Sequence, residues 1–408
     1  MKSLTHRAHR AKLLSLAVAL CLLLMTGCDT YDNFLSEFFD KSNGKDTAVK
    51  IGVFEPLTGS DAQGAKAEIR GIELAHELYP DVLGMPVKLV YGDNQSDVSA
   101  AVAAAQILVD QGVSVVLGSY KSVLTLAASD VFAEARIPAI GITCTNPLIT
   151  KTNDFYYRVC FVDAFQGNSA AKYITEHLNL ESAVAFKKQG DDYAGAMIDE
   201  FIDKMVRQTG EPECVTLIEY PEDTKDFAPF FERIHQAGSP AVFFPSEAAV
   251  ADEVLYQAYE GRYKFLWIGN EKWEDLPSVN INPYRDSALY IDGVAFVAEF
   301  DDAARLSAMT DIFIKAYAEK YGEDEKPDDA TALGFDAYLL ALRGIEDAGT
   351  HRNGSLIASK LSSVFEMPAA TGSITLNAQG DPIKEVVIER FLKTEPKPVF
   401  TAIPTWGQ

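Results

Sequence analysis

Residues 49–79 read VKIGVFEPLTGSDAQGAKAEIRGIELAHELY. The opening apolar run, Val49 to Phe54, has the length and composition of a buried strand. A loop rich in Pro, Thr, Gly, Ser and Asp follows. From Lys66 to Tyr79 the period changes, and Ile72, Ala75, Leu78 and Tyr79 fall on one face of a helix. The unit then repeats. Val87 to Tyr91 reads as a strand, Ala100 to Val109 as an Ala-rich helix and Val113 to Leu117 as a strand. Ser122 to Glu134 reads as a helix and Pro138 to Ile142 as a strand. Strands alternating with helices at this spacing predict a parallel sheet with helices on both faces.

The pattern restarts further along. Ala183 to Phe186, Val215 to Glu219, Ala241 to Phe244 and Phe265 to Ile268 read as strands. Helices are predicted between them at Tyr193 to Arg207, Phe227 to Gln236 and Ala249 to Tyr259. A strand from Gly293 to Val297 leads to helices at 303–320, 330–347 and 354–365. Two strand-like runs, Ser373 to Leu376 and Glu385 to Leu392, come last. Two α/β units in 408 residues agree with length, which exceeds one ordinary core.

Hydrophobic residues make up 48% of the chain and charged residues 23%, the composition of a folded globular protein. Acidic residues number 59 against 36 basic ones, for a net charge of −23. Such a surface repels a phosphate backbone and has no basic membrane-binding patch, so no nucleic-acid partner is expected. The basic residues Lys2, Arg7, Arg10 and Lys12 precede an apolar run from Leu13 to Met25. That run is shorter than the ~20 residues a membrane-spanning helix needs. A charged start, apolar middle and small-residue end predict a secretory signal over residues 1–27. Leu24-Met25-Thr26-Gly27-Cys28 resembles a bacterial lipobox, which implies that Cys28 is acylated and anchors the exported protein to the membrane. Residues 28–47 read as a tether. Cys144, Cys160 and Cys214 are expected to be buried thiols rather than a disulfide framework.

Several chemistries lack their motif. No Gly-x-Gly-x-x-Gly follows a strand, no Gly-x-x-x-x-Gly-Lys-Ser/Thr occurs, and no Gly-x-Ser-x-Gly elbow is present. His76, His177, His235 and His351 have no His or Cys partner at ligand spacing, so neither a metal nor another cofactor is expected. Acid pairs such as Asp191-Asp192 and Glu274-Asp275 read as helix caps or loop residues. No catalytic residue is assigned.

Ligands of open α/β sheets bind beyond the carboxyl ends of the strands. Here those ends carry FEPLTGSDAQGA, GSYKSVLTLAAS, TCTNPLIT, KKQGDDYAGA, PSEAA and GNEKWED. Ser122 opens a helix, whose N–H groups and positive dipole end suit a carboxylate; the same residue would serve simply as a cap. Glu271 offers a counter-charge for an ammonium, or is a solvated loop acid.

From Val49 to about Leu392 the chain resembles the branched-chain amino-acid binding proteins of ABC importers. The landmarks are IGVFEPLTGSDAQGAKAEIRGIELA, YGDNQSD, AAAQILVDQGVSVVLGS, LAASDVFAEARIPAIGITCTNP, YYRVCFVDAFQG, DDYAGAM, DTKDFAPFFERIHQAGSPAVFF and TGSITLNAQGDP. The resemblance implies the type I periplasmic binding protein fold: two doubly wound parallel-sheet lobes, joined by three crossovers, with the ligand between them. Residues 48–163 and 295–371 would form the first lobe, and 164–294 and 372–408 the second. It also implies a receptor that delivers an amino acid or related zwitterion to an importer permease. A ligand sensor signalling to a membrane partner would use the same cleft.

The family's ligand residues carry over by position. Ser122 matches the serine that holds the ligand carboxylate. Thr143, Cys144 and Thr145 match the loop that holds both charged ends. In it the Thr143 carbonyl and Thr145 hydroxyl face the ammonium, and the Thr145 N–H faces the carboxylate. Tyr193 matches the tyrosine that covers the ligand. Glu271, two residues before Trp273, matches the acid that pairs with the ammonium. Aromatic residues that line the side-chain pocket of leucine binders fall near Gly64 and Ala330, and a further tyrosine falls near Glu247. The small residues there predict a wider and more polar pocket, part of which Tyr120 and Lys121 are placed to refill.

Overall fold

The computed structural model describes residues 47–151, 153–279 and 284–402. The signal segment, Cys28 and most of the tether lie outside these residues. In the first lobe, β1 (Val49–Glu55) is the central strand, followed by α1 (Ala62–Leu78), a short β2 (Asp81–Val82) and β3 (Met85–Asp93). Then come α2 (Val98–Asp110), β4 (Val115–Leu117), α3 (Ser122–Glu134), β5 (Ala139–Gly141), α4 (Leu148–Lys151) and β6 (Tyr156–Arg158). The sheet order is β2-β3-β1-β4-β5-β6. β3, β1, β4, β5 and β6 run parallel, and only β2 is antiparallel to its neighbour.

Both faces of this sheet are covered, which is why β1 reads as a nearly continuous apolar run. Ile51 and Val53 face the core beneath α1, while Phe54 faces the opposite core with Leu108 and Phe132.

The second lobe opens with α5 (Asp163–Lys172), extended by one π-turn at Tyr173–His177. β7 (Ala183–Lys188), α6 (Asp192–Thr209), β8 (Val215–Tyr220), α7 (Ala228–Gln236), β9 (Ala241–Phe243), α8 (Ala248–Glu260) and β10 (Leu266–Gly269) follow. Two 3₁₀ turns, Glu271–Ser278 and Ser287–Leu289, lead to β11 (Ala295–Ala298). The chain returns to the first lobe with α9 (Ala308–Tyr321), α10 (Asp329–Ala348), α11 (Gly354–Leu361) and a small sheet. That sheet comprises β12 (Met367–Ala369), β13 (Gly372–Leu376) and β14 (Pro382–Ile383). It ends with β15 (Val386–Leu392) and β16 (Glu395–Ala402), and the second sheet has the order β16-β15-β11-β10-β9-β7-β8.

Two segments sit elsewhere than the sequence division would put them. Ala295–Ala298 pairs with β10 and β15, inside the second sheet. Ile374 and Leu376 of β13 pack in the first core. The chain therefore crosses between lobes near Val159–Asp163, near Glu299 and near Lys384.

A buried polar knot ties these crossings together. Glu299 accepts from the Phe161 N–H at 2.7 Å and pairs with Lys384 at 2.5 Å. The N–H of Glu299 donates to Asp329 at 2.7 Å. Lys384 also donates to Thr371, whose hydroxyl donates to Asp336. Glu299 and Lys384 are 4% and 2% exposed.

Helix boundaries differ from expectation for local reasons. The helix predicted from 303 begins at Ala308, because Ser307 and Thr310 form a reciprocal cap there. Just before it, Asp301 takes the N–H groups of Ala303 and Ala304 into a turn. The helix predicted over 354–365 ends at Leu361. Periodicity gives no signal for α5, because Gln166, Asn168 and Ser169 are buried along with its apolar residues. α1 and α10 pack backbone to backbone: a Cβ on Gly71 would overlap the Thr331 carbonyl, and one on Gly334 the Glu68 carbonyl.

Candidate functional site

Four loops from the carboxyl ends of β1, β4, β5 and β10 meet the first turns of α3, α5 and α6. Ser122 is the first residue of α3, and no side chain caps that helix. Lys121 just before it has φ +94°, which turns the chain sharply into the helix. The Ser122 hydroxyl accepts from the Asn146 N–H at 3.4 Å, joining the α3 start to the loop after β5.

That second loop carries Thr143, Cys144 and Thr145. The Thr143 hydroxyl donates to the Glu68 carboxylate. Cys144 is buried, and its carbonyl accepts from Arg158 at 2.9 Å. Arg158 is fully buried, pairs with Asp381 at 2.7 Å and donates to Thr150 at 2.9 Å. The guanidinium thus fixes the loop from below. Thr145 lies beside Asp163 at the start of α5 and favours its ionised form.

In the second lobe, Asp191 caps α6 by accepting from the Ala194 N–H at 3.0 Å. This cap sets Tyr193 in the first turn. The Tyr193 hydroxyl donates to Glu271 at 2.8 Å, and Asn270 donates to the same hydroxyl at 3.2 Å. The Glu271 N–H donates to the Gln166 side chain at 3.0 Å. Trp273 is wholly buried against Gly269, where a Cβ would overlap its indole, and donates to Ser246 at 3.2 Å. Trp273 therefore anchors the turn that presents Glu271.

Three buried polar atoms gather here without hydrogen-bond partners: Glu271 Oε2, Asp163 Oδ1 and Gln166 Nε2. Burial raises the Glu271 carboxyl above its usual range, opposed by the Tyr193 bond and by Lys272. Asp163 is pushed up to about 7, first by burial and then by the Glu271 charge. The two carboxyl groups and the tyrosine hydroxyl offer acceptors for a cation, and the uncapped start of α3 offers N–H donors for an anion.

The remaining sequence candidates take distinct places. Tyr120 lies where a side chain at Gly64 would have to go, since a Cβ there would overlap its ring. Lys121 stands over that ring with Nζ 4.9 Å from its centre. Ala330 is half-buried in the first turn of α10. Glu247 is turned outward, with its side chain 67% exposed, and pairs with Lys272. Lys272 in turn lies over the Tyr193 ring at 4.2 Å. Glu247 therefore meets Lys272 at the rim of the site. Reading from the sequence passes over Asp163, Gln166, Asn270 and the acids Glu55 and Glu68. Asp163 and Gln166 lie within YYRVCFVDAFQG, and Glu55 is an acid at the carboxyl end of an otherwise apolar strand, so each left a trace.

Among the described residues no group of three His, Cys, Asp or Glu could hold a metal ion. Cys144, Cys160 and Cys214 are buried free thiols. No described helix is long and apolar enough to cross a membrane.

Two α/β lobes with a polar cleft at their strand ends, joined by three crossings, define a bilobal binding protein of the type I periplasmic class. The chain belongs to the periplasmic binding protein family, whose profile matches residues 48–388. It is 28% identical over 228 residues to Leu/Ile/Val-binding protein homolog 2 of Brucella abortus; this match spans 55% of the chain and 60% of that protein. It is 26% identical over 351 residues to Leu/Ile/Val-binding protein homolog 1 of the same organism, covering 84% of the chain and 90% of the relative. Among solved structures, a leucine-binding protein from Thermotoga maritima superposes with a TM-score of 0.70 at 27% identity. That comparison covers 87% of this chain and 99% of the other.

Proposed function

We propose that this protein is an exported, lipid-anchored receptor that captures an amino acid or related zwitterion between its lobes and delivers it to an ABC importer. The observation that carries the reading is the Glu271 carboxylate. One oxygen takes the Tyr193 hydroxyl, while the other is buried without a donor beside Asp163. An α-ammonium supplies the donor and the positive charge that such a group lacks. The uncapped start of α3, with Ser122, supplies N–H groups for a carboxylate. Thr143 and Thr145 stand between these two ends. The Leu/Ile/Val-binding and leucine-binding relatives support an amino acid as cargo.

The space beyond the clamp differs from that of a leucine binder. Tyr120 takes the volume beside Gly64, and Lys121, Lys272 and Glu247 add polar groups at the rim. The cargo's side chain is accordingly less restricted to branched aliphatics. Closure on the ligand turns about the crossings at Phe161, Glu299 and Lys384. Cys28 holds the receptor at the membrane, facing the permease.

Mass spectrometry of protein purified, washed and denatured tests the reading. A small molecule bearing both an ammonium and a carboxylate is the expected release. A co-purifying sugar, or a carboxylic acid without an amino group, would remove the amino-acid assignment.

A further inference from the structure

Beneath the first-lobe half of the site lie two carboxyl groups that the proposed clamp does not use. Glu55 ends β1 and Glu68 stands on α1, and both are 0% exposed. Each has one oxygen engaged. Glu55 accepts from the Tyr120 N–H at 2.7 Å, and Glu68 accepts from the Thr143 hydroxyl. The oxygens left over, Glu55 Oε1 and Glu68 Oε2, are buried and have no donor from any other group. Neither residue has an ion-pair partner among the described residues. The two carboxyl groups stand close enough to act on each other's protonation. Two carboxylates are both acceptors, so a hydrogen bond between them requires a proton on one of them.

We infer that Glu55 and Glu68 share one proton, and that this pair positions the Tyr120 and Thr143 loops that form the first-lobe half of the ligand clamp. The inference rests on the receptor reading above for its purpose, but the proton stands on the pair itself. Gly118 makes room for it: a Cβ there would overlap the Glu55 carboxyl. Through the pair, four segments are joined: the end of β1, helix α1, the loop before α3 and the loop after β5. Because the Thr143 hydroxyl donates into the pair, its lone pairs remain to accept from a ligand cation.

The surroundings supply no positive charge to replace the proton. The titratable groups that face the pair are Cys144 from the loop after β5, Tyr156 from β6, Tyr120 from the loop before α3 and Asp328 at the start of α10. Arg158 lies near Cys144 and Tyr156 but is committed to Asp381. Burial raises both carboxyls, Glu55 well above the usual range and Glu68 to about 7. The proton belongs to the pair rather than to either member. For acids raised in the folded state, the stability contribution is present at low pH and lost as pH rises through the raised values. Alkaline conditions thus set two like charges against each other and loosen both loops.

The test uses the full mature chain and the variants Glu68→Gln and Glu68→Ala. Infrared spectra at about pH 6 and about pH 9 read the protonated carboxyl, urea unfolding reads stability, and amide exchange reads residues 118–122 and 142–146. The wild type minus Glu68→Gln difference should show a protonated-carboxyl band that is stronger at the lower pH than at the higher. One proton corresponds to about tenfold in the folding equilibrium per pH unit, and Glu68→Gln should lose that slope. Amide exchange in the two loops should quicken in Glu68→Ala and be restored by Gln, whose amide donates to Glu55. A band unchanged by Glu68→Gln, or equal pH slopes in wild type and variant, would overturn the shared proton. Equal exchange in wild type and Glu68→Ala would overturn the positioning role. Calorimetry with L-leucine is run beside these arms. Absence of leucine binding would bear on the amino-acid reading alone and leave the band, slope and exchange to decide the pair.

Discussion

Replacing Lys384 by methionine removes the positive member of the knot at the lobe crossings. Lys384 and Glu299 are nearly inaccessible, and their charged atoms lie 2.5 Å apart. The substitution leaves the Glu299 carboxylate buried, with only the Phe161 N–H still donating to it. Removing one partner of a buried ion pair costs about 3–5 kcal/mol, most of it from the stranded charge. Burial already raises the Glu299 carboxyl, and Lys384 is the largest opposing influence. Without Lys384 its pKa rises further, so the group escapes the penalty by taking up a proton. A folded acid with a raised pKa is favoured at low pH and disfavoured as pH rises through that value. The loss should therefore be smaller near pH 5 than near pH 8, and reach the full ~3–5 kcal/mol once the group is ionised. Adding Glu299→Gln should recover much of it, because no charge remains to be stranded. Urea unfolding of the wild type, the single variant and the double variant at both pH values reads these terms. A Lys384→Met variant within ~1 kcal/mol of the wild type near pH 8 would refute the reasoning, as would a double variant no more stable than the single.

Gly334→Ala drives a methyl group into the Glu68 carbonyl across the α1–α10 contact. It should cost about 1–3 kcal/mol, read as a lowered thermal midpoint; an unchanged midpoint would mean that the two helices are free to part. Asp163, raised to about 7 by burial and the Glu271 charge, contributes stability that is present below about pH 4 and lost as pH rises towards about 7. Asp163→Asn should therefore flatten the decline in ligand-free stability across that window, and chemical unfolding at a series of pH values checks it. An unaltered pH profile would count against a buried Asp163 carboxyl.

Much of the fold was legible because parallel strands buried on both faces write themselves as apolar runs. β1, β4, β7, β9 and β10 lie within a few residues of their predicted positions for that reason. Capped or strongly amphipathic helices were equally clear, as with α6, whose start is marked by Asp191 and whose end is marked by Gly210 at φ +77°. Elements that break these rules were not. α5 buries polar residues to build the site and so has no single apolar face. β6, only three residues long, ends in the fully buried Arg158 and reads as a loop. The lobe crossings near Glu299 and Lys384 were misjudged because they depend on long-range hydrogen bonds that no local pattern encodes.

The candidate site divides in the same way. Positions carrying a side chain with an obvious charge or hydroxyl at a strand end, such as Ser122, Thr145, Tyr193 and Glu271, could be picked out with the family's help. The way they are held could not. Asp163 links Thr145 to the Glu271 environment, and Glu68 receives the Thr143 hydroxyl, across separations of 18 and 75 residues. Glu247 shows the converse. An ungapped register brings it near the pocket, but Lys272 draws its carboxylate outward at the rim.

The central claim, that Glu271 meets the ammonium of a zwitterionic ligand, is tested most directly by calorimetry on Glu271→Gln. The titrant is whichever L-amino acid the stripped wild type binds most tightly. Removing one partner of a desolvated charge pair costs ~2–5 kcal/mol, so the variant should bind roughly 30-fold or more weakly. N-acetylation of that amino acid should weaken wild-type binding far more than it weakens binding by the variant. Equal affinity of wild type and Glu271→Gln for the free amino acid would contradict the account.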